Sequence, residues 1–286
     1  MTLFRKRLVR DIATATALAT LAAAAVITTP VAAGAADQDT VSAGQVAAAL
    51  RTTDLSDATL LAEPLKSRTD SDSAAVVDGS GLRTDVPRDP EDGVELGLPG
   101  APSVRVEVPN ADTAGTAKRL TDGTVVYPGD DGSASAVIPT ENGTQMVTTI
   151  MNADAPTRYA YAVDVPEGGR VEVVDGNAFV VDDKGGLLLS VPAPWARDAE
   201  GAAVPTHFET DGATLTQVVD HRSATHAYPV VADPIWFVIP AWVLRSCGIG
   251  FLGAGASYWV GGGTSLWRFL ASGAVGCVFG IIGKKF

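Results

Sequence analysis

The stretch Tyr159-Ala-Tyr-Ala-Val-Asp-Val-Pro-Glu-Gly-Gly-Arg-Val-Glu-Val-Val-Asp-Gly-Asn-Ala-Phe-Val-Val-Asp-Asp-Lys-Gly-Gly-Leu-Leu-Leu189 decides the fold. Tyr159, Tyr161, Val163 and Val165 recur at every second residue and stop at Pro166. A period of two puts alternate side chains on opposite faces, the pattern of a half-buried strand. Val171 and Val173 then lead to Asp175-Gly176, and Phe179 and Val181 follow. Asp-Gly between apolar alternations is a hairpin signal, because glycine accepts the positive φ that a tight turn needs. Residues 182–186 make a second turn before Leu187, Leu188 and Leu189.

Working outward, Val104, Val106 and Val108 alternate with Arg105 and Glu107, and Asp122-Gly123, Asp131-Gly132 and Asp211-Gly212 mark further turns. Short strands at this spacing predict a mainly β body, an antiparallel sandwich or barrel, over residues 103–234. About 130 residues suffice for one such core. Ahead of it, Ser42 is placed to cap a short helix over residues 43–50. The run that follows is rich in Asp, Ser, Thr, Gly and Pro, with Pro87, Pro90, Pro99 and Pro102 close together. Such composition buries little apolar area against its ordering entropy, so residues 37–102 are expected to form a disordered spacer.

The two ends differ in kind. Residues 1–36 begin with Arg5, Lys6, Arg7 and Arg10, continue through an apolar stretch over 12–27, and close on Ala33, Gly34, Ala35 and Ala36. This is an export signal cleaved near Ala36, or else an uncleaved anchor. Residues 37–234 hold 32 acids and 13 bases, a net charge of -19, whereas residues 235–286 hold Arg245, Arg268, Lys284 and Lys285 and no acid, a net of +4. The whole chain, 286 residues at net charge -12, repels phosphate and is not read as a nucleic-acid binder. The charge break predicts a domain boundary at Asp233-Pro234, which is also the candidate processing site.

The tail of 52 residues contains 11 glycines and four of the five tryptophans. Two apolar stretches flank Gly261-Gly262-Gly263 and predict a Gly-rich α-helical hairpin. In a hairpin turning at Gly262, Cys247 and Cys277 stand at the same height, each 15 residues from the turn, and can pair as a disulfide. Closing that loop stabilises by about 3–4 kcal/mol on a chain-entropy argument. Gly250 and Ala254, and Ser272, Gly276 and Gly280, fall four apart, a spacing that permits close helix packing in lipid. Trp236, Trp242, Trp259 and Trp267 sit near the segment ends, as interfacial aromatics do, beside the cationic Arg245, Arg268, Lys284 and Lys285. Three readings of the tail stay open: an anchor or packed core, a membrane-active segment, and an assembly segment. Arg245 stands well inside the first stretch, a cost for full spanning.

The body carries no Gly-x-Ser-x-Gly elbow, phosphate loop, His-Glu-x-x-His or Cys-x-x-Cys. His207, His221 and His226 match no metal spacing and are expected to be exposed or strand-facing. Asp130-Asp131 and Asp182-Asp183 read as turns rather than calcium sites. No metal, cofactor, small-molecule substrate or catalytic residue is expected.

The segments Ala193-Pro-Trp-Ala-Arg-Asp-Ala-Glu-Gly-Ala-Ala-Val-Pro-Thr206 and His226-Ala-Tyr-Pro-Val-Val-Ala-Asp-Pro234 resemble those of uncharacterised exported proteins of high-GC Gram-positive bacteria. In these a β-rich region ends at a Tyr-Pro-Val-Val-Ala-Asp-Pro stretch and a divergent hydrophobic tail follows. The resemblance spans about residues 150–234 and implies a carrier body with an exchangeable tail; it brings no catalytic residue. The functional expectation is therefore non-enzymatic: an exported precursor or carrier of a membrane-active, bacteriocin-like C-terminal peptide whose partner is a lipid membrane. The alternative is a membrane-anchored cell-surface binding module without lytic activity.

Overall fold

The computed structural model describes residues 40–238, apart from 80–81, 99–102, 142, 167, 184–185 and 224. The first helix of the described residues is α1 (Ala43–Ser56). Strands β1 (Ser73–Gly79), β2 (Leu82–Pro87), β3 (Val94–Gly97) and β4 (Val104–Val106) follow, then β5 (Lys118–Arg119), β6 (Val125–Tyr127), β7 (Ser133–Thr140) and β8 (Gly143–Ile150). Next come β9 (Arg158–Asp164), β10 (Arg170–Val174), β11 (Asn177–Val181), β12 (Leu187–Val191) and β13 (Ala196–Arg197). The last are β14 (Thr206–Thr210), β15 (Thr214–Val219), β16 (Val230–Ala232) and β17 (Ile235–Val238).

The strands form two antiparallel sheets. One runs β1-β2-β3-β4-β9-β15-β14; the other runs β10-β11-β12-β17-β8-β7-β6-β5, with β16 also on β8 and β13 on β16. Residues from both sheets fill one apolar core. Strand β9 shows why: Tyr159, Tyr161 and Val163 are buried and the residues between them are exposed, so one face packs and one is wet. Across the interior Tyr161 lies against Trp236, Thr144 bonds Thr84, and the Tyr127 hydroxyl donates to the Pro87 carbonyl at 2.6 Å.

Strands β7 and β8 are buried on both faces. Val137, Met146 and Ile150 belong to the core between the sheets. Ala134, Ala136, Ile138 and Val147 pack with Val46, Ala49 and Leu50 of α1. The helix buries Val46, Ala49, Leu50 and Thr53, a stripe at helical spacing. Ser42 caps it as expected: its Oγ accepts from the Gln45 backbone N–H, and Gln45 Oε1 accepts from the Ser42 N–H.

Two expectations need correction. The described residues of the 37–102 stretch are not a disordered spacer: α1 continues to Ser56, and β1, β2 and β3 are members of the first sheet. The described Gly and Pro residues of its proline-rich run sit at strand ends or in the turn between β2 and β3. Pro87 closes β2, Pro90 opens a single 3-10 turn capped by Asp89, and Gly93 leaves that turn at φ +67°. Small core residues, Ala74, Ala75, Val86, Val94 and Leu96, suffice because paired neighbours cover them. The second correction is the boundary: the body does not end at Pro234, since β17 lies between β8 and β12.

The Asp175-Gly176 turn is where the sequence placed it, with both residues at positive φ (50° and 79°) between β10 and β11. The expected Gly-rich helical hairpin, the expected export signal and the rest of the chain beyond residue 238 lie outside the described residues.

Candidate functional site

The chemistry of the described chain concentrates at the junction of β16 and β17. Both strands pair with β8, one after the other. Val230, Val231 and Ala232 oppose Ile150, Thr149 and Thr148, and Ile235, Trp236 and Phe237 oppose Gln145, Thr144 and Gly143. Pro234 sits in the ladder between them, its carbonyl accepting from the Met146 N–H at 2.9 Å. On the other side the partner changes, from β13 along β16 to β12 along β17. Asp233 stands at that change of partner.

Asp233 is 3% exposed. Gln145 Nε2 donates to Oδ2 at 3.0 Å, and the Trp195 backbone N–H donates to Oδ1 at 3.2 Å. Gln145 also donates to the Leu60 carbonyl and accepts from the Ala62 N–H at 2.8 Å. One buried carboxyl thus ties together the segment after α1, strand β8, the segment before β13 and the β16–β17 junction. Every donor is neutral. Burial pushes the Asp233 acid up to about 7, against the opposing pull of the hydrogen bonds from Gln145 and Trp195. Tyr161, also raised by burial, feels the same carboxyl.

A second buried polar set closes one end of the body. His221 is fully buried, with Nε2 at 2.9 Å from the Pro156 carbonyl and Nδ1 at 2.9 Å from the Tyr228 hydroxyl. With Nε2–H donating to Pro156, a neutral ring accepts the Tyr228 proton at Nδ1, and the same hydroxyl also lies 2.9 Å from the His221 carbonyl. Burial holds the imidazole below its ordinary value. Nearby, Asp198 accepts from the Glu200, Ala202 and Ala227 N–H groups and fastens its own loop to the strand β16 approach.

A third feature is open to solvent. Asp85, Glu91, Asp92, Glu95, Glu107 and Asp164 surround Arg105 in a groove of about 410 Å³ on the first sheet. Arg83–Asp85 at 3.1 Å and Arg105–Asp164 at 3.8 Å are exposed pairs, of small energetic weight.

The expected site residues fare unevenly. Trp236 is not an interfacial membrane residue in this fold: it is fully buried and packed on Tyr161. Asp233-Pro234 is not an accessible processing site, because both residues are buried within a paired run. His221 is likewise inside the body rather than exposed. Cys247, Cys277, Trp242, Arg245, Trp259, Trp267, Arg268, Lys284, Lys285, Gly250, Ala254, Ser272, Gly276 and Gly280 lie outside the described residues. Gln145, Trp195 and Tyr228 were not singled out from sequence; their roles arise only where distant segments meet.

Among the described residues no group of three or more His, Cys, Asp or Glu side chains is arranged to hold a metal ion. Among them, too, no helix is long and apolar enough to cross a membrane. Comparison of the chain with family models, curated proteins and solved structures finds no match.

Proposed function

We propose that this chain is an exported, non-catalytic carrier of its own basic and apolar C-terminal segment, which acts on a lipid membrane. The observation that supports the reading is the reversal of charge along the chain. The residues up to Pro234 carry -19, and residues 235–286 carry +4 with no acid and 11 glycines. In this reading release occurs beyond Val238, since Asp233 and Pro234 are buried, and residues 239–286 are the membrane-acting portion. Its four cations suit anionic headgroups, and its tryptophans suit the lipid–water interface. Cys247 and Cys277 pair within it in this reading.

A second reading draws on β17. A strand built into the middle of a sheet favours a tail that stays attached, as an anchor for a surface-displayed binding module would.

The test uses the mature chain 37–286, oxidised and reduced, on dye-loaded vesicles of anionic lipid, beside the chain ending at residue 238. Dye release by the full chain alone, lost on reduction, is the expected result. Stable partitioning without release moves the assignment to the anchor. Equal behaviour of the two chains overturns both membrane readings.

A further inference from the structure

We propose that Asp233 is a proton-controlled latch on β17: the strand that leads into the tail is held in the sheet while the carboxyl keeps its proton, and is loosened when the carboxyl ionises. The latch is a property of the body and stands whether or not the tail acts on membranes.

The geometry carries the argument. Asp233 sits at the only interruption of the run that pairs with β8, one residue before Pro234. A buried charge at this point acts on both strands at once. The groups facing the carboxyl come from every packed segment, and none is a cation. Strand β8 offers the Gln145 amide, and the segment before β13 offers both the backbone and the indole N–H of Trp195. The segment after α1 offers Leu60 and Ala62, which hold Gln145 in place. The titratable side chain facing it is Tyr161 of β9, which is neutral and whose own anion would only repel it. Three neutral donors, the Gln145 amide and the backbone and indole N–H groups of Trp195, do not replace the hydration of a carboxylate, so the ionised form is costly inside and cheap once the junction opens.

The sign follows. The folded-state value, about 7, lies above the ordinary carboxyl value of 3.8. The stabilising contribution is complete below the lower value, declines as pH rises between the two, and is lost above the upper one. In that window the equilibrium for opening the junction grows by up to about tenfold per pH unit, then levels off. β17 is short, pairing through three residues with β8 and two with β12, so opening there need not unfold the rest.

Hydrogen exchange of the full chain, read by mass spectrometry and corrected for the intrinsic pH dependence of exchange, tests this. Protection of residues 230–238 should fall between pH 5 and pH 8 by more than that of β9, and Asp233→Asn should remove the pH dependence. Protection that stays constant, or that falls in step with β9, overturns the latch, as does an unchanged pH dependence in Asp233→Asn. If that variant does not fold, carbon-13 titration of the wild-type Asp233 carboxyl decides. A midpoint near neutrality supports the latch, and one in the ordinary carboxyl range overturns it.

Discussion

The rings of Tyr161 and Trp236 meet across the interior with centroids 5.8 Å apart and planes tilted by 60°. Tyr161 comes from the middle of the first sheet and Trp236 from the middle of the second, so this pair joins the two layers at the centre. Tilted aromatic pairs at this distance are favourable beyond their buried area. Tyr161 also shares a 3.3 Å hydrogen bond with the Thr148 hydroxyl, whereas the Trp236 indole Nε1 has no hydrogen-bond partner among the described residues.

Trp236→Ala should destabilise the body by about 3–5 kcal/mol, the usual cost of deleting a large buried aromatic. Trp236→Phe should cost clearly less, since it keeps a ring and removes the unpaired N–H. Tyr161→Phe should cost about 1 kcal/mol through the lost Thr148 bond. Urea unfolding followed by far-ultraviolet circular dichroism measures all three. Equal stability of Trp236→Ala and the wild type would place the tryptophan outside the core.

Gly143 faces the backbone of Trp236 across the β8–β17 ladder, and a Cβ there would collide with the Trp236 carbonyl oxygen. The obstacle is backbone, so no rotamer change relieves it. Gly143→Ala should cost at least about 1–3 kcal/mol, the range for overpacking a tight site. Hydrogen exchange should show the loss first at residues 235–238.

His221 should make the body sensitive to acid. Its folded-state value lies below the ordinary 6.5, because burial disfavours the imidazolium. Stability that depends on neutral His221 is therefore present above 6.5 and lost as pH falls through the folded-state value. This is opposite in sign to Asp233. Thermal unfolding of wild type and His221→Gln between pH 4 and pH 8 should show a weaker acid-side decline in the variant. An identical decline would assign acid sensitivity to other groups.

Much of the architecture was legible because it is local. The Tyr159–Tyr161–Val163 alternation became β9, with those three residues inside and their neighbours out. Asp175-Gly176 became a two-residue turn, and Ser42 became a helix cap. The failures have a common cause. The proline- and glycine-rich run before residue 103 became three sheet strands, because pairing with neighbours supplies what its own apolar content lacks. Ile235, Trp236, Phe237 and Val238 form an apolar run without period, and such a run reads alike as a buried strand or the start of a lipid-facing segment.

By itself, the sequence determined the strand periods, the turn positions, the helix cap and the place where charge reverses, since each depends on residues a few positions apart. Only the tertiary structure decided that Asp233 and Trp236 are interior. Gln145 is 88 residues from Asp233, and Tyr161 meets Trp236 from the opposite sheet. Burial, and with it the proton affinity of a carboxyl, is set by what closes over a residue from elsewhere in the chain.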